Sequence, residues 1–262
     1  WPEETKDLKE FYPTSVLVTG YDIITFWVSK MIMMGLKFKG EKPFSKIYIH
    51  GLIRDMSGKK MSKSTGNAID PTEVIDRVGA DALRFSLTSL VTSGGQDLKL
   101  SEEKIVEGRN FANKIWNLSR FVLMQGEVKT NAIVDSLLTL ADKWILDRYN
   151  TAIVVITNNL DNFEFGDAAK NLYEFIWSNL CDWYTELSKI SLYENKASGQ
   201  GLSKNGENSL KILKHVLTGT LKLLHPFMPF ETEEIFSNLG NNKTIMLEEW
   251  PAADKQYIDP VS

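Results

Sequence analysis

Three runs in the second half of the chain repeat apolar residues every three or four positions, and they leave that half little choice of fold. Leu138, Ala141, Ile145, Tyr149, Ala152 and Ile156 form one stripe, and Leu172, Ile176, Leu180, Trp183 and Leu187 a second. Leu210, Leu213, Leu217, Leu221 and Leu224 form a third. Each stripe is the buried edge of an amphipathic helix and is satisfied only when other helices cover it. The spacing predicts a helix bundle. Ser101 followed by Glu102 and Glu103 reads as an N-cap with acids placed well for the helix dipole. Pro226 and Pro229 punctuate "HPFMPF", and "ETEEIFSNL" starts a further helix. The aromatics of "FIWSNLCDWY" are assigned to the bundle core, with Cys181 inert among them. "ENKASGQGLSKNGEN" reads as a polar surface loop.

The first hundred residues follow another grammar. "SVLVTG" reads as a strand, "YDIITFWVSKMIMMGLKF" as a helix and "SKIYIHG" as a second strand. "IDPTEVIDRVGADALRFSLTSL" then reads as one helix, with Asp70 at the N-cap, Pro71 at the first helical position and Glu73 completing a capping box. Strand, helix, strand, loop, helix predicts a doubly wound α/β arrangement, in which ligands bind beyond the carboxyl ends of the strands. The expected organisation is α/β over 1–100, a connecting helical segment over 101–135 and an all-α bundle over 136–262.

Composition narrows the function classes. A net charge of −4 excludes a global basic field and leaves only a local positive face for nucleic acid. One cysteine excludes an internal disulfide framework and fits a reducing cytoplasm. With three histidines and that cysteine there is no zinc-ligand spacing, so no bound metal is expected. "VSKMIMMGLKF" is too short, and too interrupted by Lys30 and Lys37, to span a bilayer. The opening "WPEETKDLKEFYP" carries no secretory leader and no initiator methionine, as expected of a piece of a longer protein.

The chemistry concentrates in "GKKMSKSTGN", Gly58 to Asn67. Lys60 and Lys63 bracket Met61 and Ser62, with Ser64, Thr65 and Gly66 following. Glycines at both ends let the backbone approach a ligand, and lysine is a mobile point charge that follows a phosphate. Between a strand and a helix, such a loop suits a clamp on a polyphosphate. It is not a Walker A loop, and no G-x-G-x-x-G occurs anywhere. The competing reading is a solvated charged turn.

"KMSKS", Lys60 to Ser64, matches the second signature of the class I aminoacyl-tRNA synthetases. "FYPTSVLVTGYDIITFWVSKMIMMGL", "IYIHGLIRDMSGKKMSKSTGNAIDPTEVIDRVGADALRF", "LSEEKIVEGRNFANKIWNLSRFVL", "FIWSNLCDWYTELSK" and "LLHPFMPFETEEIF" follow in order. Together they resemble the valyl-tRNA synthetase family from near the start of the chain to near its end. "TGYDIITFWV" separates that family from its isoleucyl and leucyl relatives. The resemblance implies the C-terminal part of a Rossmann-like catalytic domain followed by an anticodon-binding bundle. It implies valine, ATP with Mg²⁺ as substrate, and valine tRNA as partner, in a cytoplasmic monomer.

Lys60 and Lys63 are expected to stabilise charge on the leaving pyrophosphate, with Met61, Ser62, Ser64 and His50 completing the ATP site. Ser62 and Ser64 either bond phosphate or hold the turn, and His50 either contacts ligand or is structural. Asp22 either receives the substrate ammonium group or caps a helix. Trp27, with Ile23 nearby, either walls the amino-acid pocket or is core. Arg109, Asn113, Asn117 and Arg120 recur along one helix face, with Lys114 and Phe121 adjacent. They form either an RNA face or a solvated one.

The family also carries a His-x-Gly-His motif and an inserted editing domain, expected upstream of Trp1. Here His50, His215 and His225 are isolated. The expectation is a chain that does not activate valine alone. A tRNA-binding module without catalysis is the alternative.

Overall fold

The computed structural model describes residues 3–62, 64, 66–92, 94–128, 130–195, 201–240 and 243–258. Two units divide the chain: Trp1–Ala68 with Leu90–Leu100, and Ile69–Ser89 with Ser101–Ser262.

In the first unit, helix α1 (Lys6–Phe11) leads into strand β1 (Thr14–Gly20), which pairs in parallel with β2 (Phe44–His50). The register sets Thr14 opposite Phe44 and Gly20 opposite His50. Parallel strands need a crossover. It is built from a 3₁₀ turn (Tyr21–Ile23), a π-helical turn (Ile24–Val28) and helix α2 (Ser29–Lys39), which stops at Gly40 with φ +75°. Strands β3 (Ile53–Arg54) and β4 (Leu98–Lys99) make a second parallel pair. Among the described residues the sheet structure is these two strand pairs, less than the doubly wound sheet the alternation predicts. Helix α2 buries none of its residues. Val18, Phe26, Trp27, Met33, Met34, Leu36 and Phe38 are all more than half exposed.

The second unit takes residues that the sequence pattern assigns to the α/β half. The predicted helix after Asp70 is two helices, α3 (Pro71–Val78) and α4 (Ala80–Ser89), broken at Gly79 with φ +91°. The Asp70 side chain accepts from Thr72 N at 2.8 Å, so the cap is this single bond rather than the expected box with Glu73. Helix α5 (Glu102–Met124) packs against α4 through small residues. A Cβ on Gly108 would lie 2.5 Å from both the Ala82 carbonyl and Ser86 Oγ, and the rings of Phe85 and Phe111 are 4.6 Å apart. Residues 69–89 group with the helical unit through this close packing.

Helices α6 (Leu140–Asp161), α7 (Phe165–Glu174), α8 (Thr185–Leu192), α9 (Lys204–Leu224) and α10 (Pro229–Asn238) complete the unit. The leucines of the third stripe are at most 1% exposed. The second stripe slips. Leu172, Ile176 and Leu180 are fully buried, but Trp183 is 62% exposed and Leu187 36%. The cause is a π-helical segment, Phe175–Tyr184, between α7 and α8. Its wider turns, closed by i→i+5 bonds, rotate the later residues, and Tyr184, Ser188 and Leu192 take the core face instead. Of the "FIWSNLCDWY" aromatics, Phe175 and Tyr184 are core as expected and Trp183 is not.

Some buried polar groups are paired across helices, while among the described residues Asp81 Oδ1 is buried without a partner. Asp142 caps α6 in a reciprocal box with Thr139 and accepts from Tyr184 Oη at 2.6 Å and Ser209 Oγ at 3.2 Å. Helix α4 is fastened to the α9–α10 turn. Asp81 accepts from Glu231 N at 2.7 Å, and Arg84 donates to the carbonyls of Pro226 and Phe227. Within the expected surface loop, residues 196–200 lie outside the described residues and α9 already begins at Lys204, capped by Ser203. Gly206 permits this, since a Cβ there would sit 2.6 Å from the Ser191 carbonyl. Among the described residues no helix is long and apolar enough to cross a membrane.

Candidate functional site

The carboxyl ends of β1 and β2 meet at the register pair Gly20–His50. Gly20 leaves room there. A Cβ on it would lie 2.8 Å from Asp22 Oδ1 and 3.6 Å from His50 Cε1. Asp22 sits in the 3₁₀ turn that follows β1, whose N-cap is Gly20. Its Oδ2 pairs with Lys60 Nζ at 3.4 Å. One rim of the first unit therefore gathers a carboxylate, a lysine and an imidazole. His50 Nδ1 lies 2.8 Å from the Gly51 carbonyl oxygen; donating that proton leaves the lone pair on Nε2. Gly51 is required by close backbone packing, since a Cβ would overlap the Gln96 carbonyl at 1.9 Å. Trp27 is 60% exposed and Ile23 40%.

The lysine loop is ordered by residues that the sequence pattern does not single out. A tight turn, Asp55–Gly58, is closed by Gly58 N on the Asp55 carbonyl at 2.9 Å, with Gly58 at φ +82°. The Asp55 carboxylate accepts from Ser57 Oγ at 2.7 Å, Lys59 N at 2.9 Å and Asn67 Nδ2 at 2.7 Å. The Ser57 and Asn67 donors and the Lys59 amide pull its pKa down to about 2. Asn67 then reaches back, accepting from Ser62 N at 3.0 Å and donating to the Lys60 carbonyl at 3.4 Å. Ser62 Oγ and Ser64 Oγ lie 2.6 Å apart, a hydrogen bond within the loop. Met61 is half-buried. Lys63 and Thr65 lie outside the described residues. Asp97 braces the base of the loop. It accepts from Leu52 N at 2.8 Å, from Tyr21 Oη at 3.3 Å and from Arg54 Nε, and these donors hold its carboxyl below the usual range. No sequence signal short of a full contact map pairs Asp55 with Asn67, or Asp97 with Arg54.

On α5 of the second unit, Arg109, Asn113, Asn117 and Arg120 are all exposed. Their flank differs from expectation. Lys114 is engaged with Asp182 at 2.6 Å and lies 4.7 Å over the Trp177 ring, and Phe121 packs on the core beneath Lys189. Trp116, 42% exposed, joins Arg120, Leu123, Glu234 and Asn238 around a cleft of about 240 Å³. The Cys181 thiol is buried, which pushes its pKa up to about 12 and makes it unreactive. Among the described residues no group of three acidic, histidine or cysteine side chains could hold a metal ion.

Residues 1–101 match the model for class I tRNA synthetases (I, L, M and V), and 142–262 that for the anticodon-binding domain of tRNA ligase. The valine–tRNA ligase of Carboxydothermus hydrogenoformans is 52% identical over 262 residues, covering 99% of this chain and 29% of that protein. That of Bacillus subtilis is 49% identical over 263 residues, with the same coverages. The chain thus spans about 29% of the length of these relatives. Two solved structures share the fold at low identity. A Mycobacterium tuberculosis methionyl-tRNA synthetase bound by methionyl-adenylate has a TM-score of 0.70 at 21% identity, covering 91% of this chain and 46% of that one. A leucyl-tRNA synthetase–tRNA complex from Agrobacterium radiobacter has a TM-score of 0.68 at 22% identity, covering 94% and 30%. Across both units, the chain belongs to the class I aminoacyl-tRNA synthetases, and relatives about half identical to it are valine–tRNA ligases.

Proposed function

We propose that the chain supplies a valine–tRNA ligase with the lysine-loop side of its ATP site and with its anticodon-reading helices. The observation that carries this reading is the gathering of Lys60, Asp22 and His50 at the carboxyl ends of two parallel strands, where α/β sheets bind ligands. Valine follows from relatives about half identical over 99% of the chain.

In the proposed first step a valine carboxylate oxygen attacks the α-phosphorus of ATP. The Pα–O bond to the β-phosphate breaks and pyrophosphate leaves, with Mg²⁺ arriving as part of the nucleotide. Lys60 and Lys63 neutralise charge on the departing phosphates, and a lysine acting only there contributes on the order of 10²–10³ in rate. Asp22 receives the valine ammonium group, which replaces Lys60 as its partner. His50 offers Nε2 as an acceptor to the adenylate. In the second step a terminal ribose hydroxyl of the tRNA attacks the valyl carbonyl and AMP leaves, while the exposed face of α5 holds the anticodon end. Residues 1–100 serve catalysis, 101–135 connect and carry the RNA face of α5, and 136–262 form the anticodon-binding bundle, in a cytoplasmic monomer.

The test uses a chimera in which residues 1–262 replace the matching segment of the Carboxydothermus relative. It is expected to catalyse valine-dependent ATP–pyrophosphate exchange, reduced about 10²-fold or more by Lys60→Ala. A chimera that exchanges equally well with Lys60→Ala would overturn the assignment. A second reading, tRNA binding without adenylation, is favoured by the three isolated histidines for the 262-residue polypeptide itself. It predicts no exchange from that polypeptide alone.

A further inference from the structure

We infer that Asp55 and Asn67 are positioning residues for Lys60, forming a clasp that fixes the lysine loop before substrate arrives. This rests on the reading of Lys60 as a phosphate-binding group.

Lys60 has little of its own to hold it. Its side chain is 61% exposed and, among the described residues, meets only the half-open Asp22 carboxylate at 3.4 Å. Its direction is therefore set by its backbone, and both peptide groups flanking Met61 are held by one side chain. Asn67 donates to the Lys60 carbonyl and accepts from Ser62 N. Asn67 is fixed in turn by Asp55, through the 2.7 Å bond from its Nδ2. Asp55 also takes the Lys59 amide, so it holds the chain on the other side of Lys60. Across the base of the loop, Arg54 and Lys60 form an antiparallel bridge. The two side chains divide their chemistry. Asp55 brings only acceptor oxygens and Asn67 brings one acceptor and one donor group, so the order acceptor–donor–acceptor runs from Asp55 through Asn67 to the Lys60 carbonyl. A lysine that neutralises a leaving group is effective in proportion to how little it must reorganise, and a displacement of about 1 Å at such a group can cost about 10²-fold in rate.

The pairing makes a reciprocal test available. Asp55→Asn sets two amide donors against each other. Asn67→Asp sets two carboxylates against each other. In the double variant the new amide at position 55 donates to one oxygen of the new carboxylate at position 67, and the other oxygen still accepts from Ser62 N, but the donor to the Lys60 carbonyl is not replaced. In the chimera, each single variant is expected to lower kcat for valine-dependent exchange about 10- to 100-fold with KM for valine unchanged. The double variant is expected to recover part of that loss, since the 55–67 and 67–Ser62 bonds return and the bond to the Lys60 carbonyl does not. Singles within twofold of the parent, or a double no better than the product of the singles, overturn the inference.

A second measurement does not depend on activity. In the 262-residue polypeptide, the Ser62 amide is expected to exchange slowly with solvent and to lose its protection in Asn67→Ala. Unchanged protection overturns the clasp whatever the enzyme does. A parent chimera without exchange would instead sink the functional reading, leaving the clasp to be decided by the amide measurement.

Discussion

Lys60 Nζ lies 3.4 Å from Asp22 Oδ2, with the two side chains 61% and 38% exposed. An ion pair this open is worth about 0–1 kcal/mol, because water solvates both charges well when they separate. The pair therefore joins two proposed ligand groups at little energetic cost to binding. Asp22→Asn should change the unfolding free energy of the polypeptide by less than about 1 kcal/mol. In the chimera it should raise KM for valine at least about tenfold, since a charge-assisted hydrogen bond to the ammonium group is lost. Denaturant titration and exchange kinetics check the two halves. A large stability loss with normal KM would make Asp22 structural.

Gly219 sits inside α9, where alanine is ordinarily the better helix former by about 1 kcal/mol. Here the sign should reverse. A Cβ at that position would lie 1.6 Å from Tyr149 Oη and 2.6 Å from its Cζ, and Tyr149 is only 4% exposed. Gly219→Ala must push a buried ring aside, at a cost of about 1–3 kcal/mol or more. Unfolding free energy that rises in Gly219→Ala would contradict this packing.

These contacts show where the sequence is legible and where it is not. The leucine stripe of α9 reads directly because an α-helical period is local and its residues vote together. The stripe through Trp183 and Leu187 misleads, because a π-helical segment upstream changes the residues per turn without leaving a compositional mark. Gly79 splits a predicted helix through a positive φ that a single glycine does not announce. The lysine loop is recognisable as a motif, and the strand β2 before it and the start of the helix at Pro71 after it are where the pattern puts them. Its ordering is not recognisable, since Asp55 and Asn67 are twelve residues apart and Asp97 reaches Arg54 from forty-three residues away. On α5 the polar spacing identifies the exposed face, but the partners of Lys114 and Phe121 come from another helical segment and cannot be read from α5 alone.

Glu231 gives the helical unit a pH dependence. Burial, and then the neighbouring Asp81 charge, raise its pKa to about 7 from 4.5. The folded state therefore keeps a proton that the unfolded chain releases, so this contribution is complete below about pH 4.5 and is lost as pH rises to about 7. Asp81, raised chiefly by burial, acts with the same sign from a lower starting point. His215 and His225, both lowered chiefly by burial, act oppositely in acid. Glu231→Gln isolates one group. It should stabilise the polypeptide at pH 8 by about 1–3 kcal/mol and have a much smaller effect near pH 4.5. Thermal or denaturant unfolding at the two pH values measures the difference, and an equal effect at both would remove the carboxyl as its source.

The exposed residues of α5 predict a division of labour that one RNA-binding series can read. Arg109 and Arg120 are free to meet phosphates, so alanine at either should weaken tRNA binding for any sequence and lower the salt slope by about 1. Asn113 and Asn117 carry paired donor and acceptor groups suited to base edges. Asn117→Ala should lose about 1–3 kcal/mol for valine tRNA and little for a tRNA with a changed anticodon. Lys114 is the internal control. Its ammonium is 2.6 Å from Asp182 and lies over the Trp177 ring, so Lys114→Ala should disturb the packing of α5 more than the binding of RNA. Fluorescence anisotropy across a salt titration separates these outcomes. Equal binding losses for Lys114→Ala and Arg120→Ala, with unchanged stability in both, would mean that the RNA face wraps toward Asp182 rather than running along Arg109, Asn113, Asn117 and Arg120.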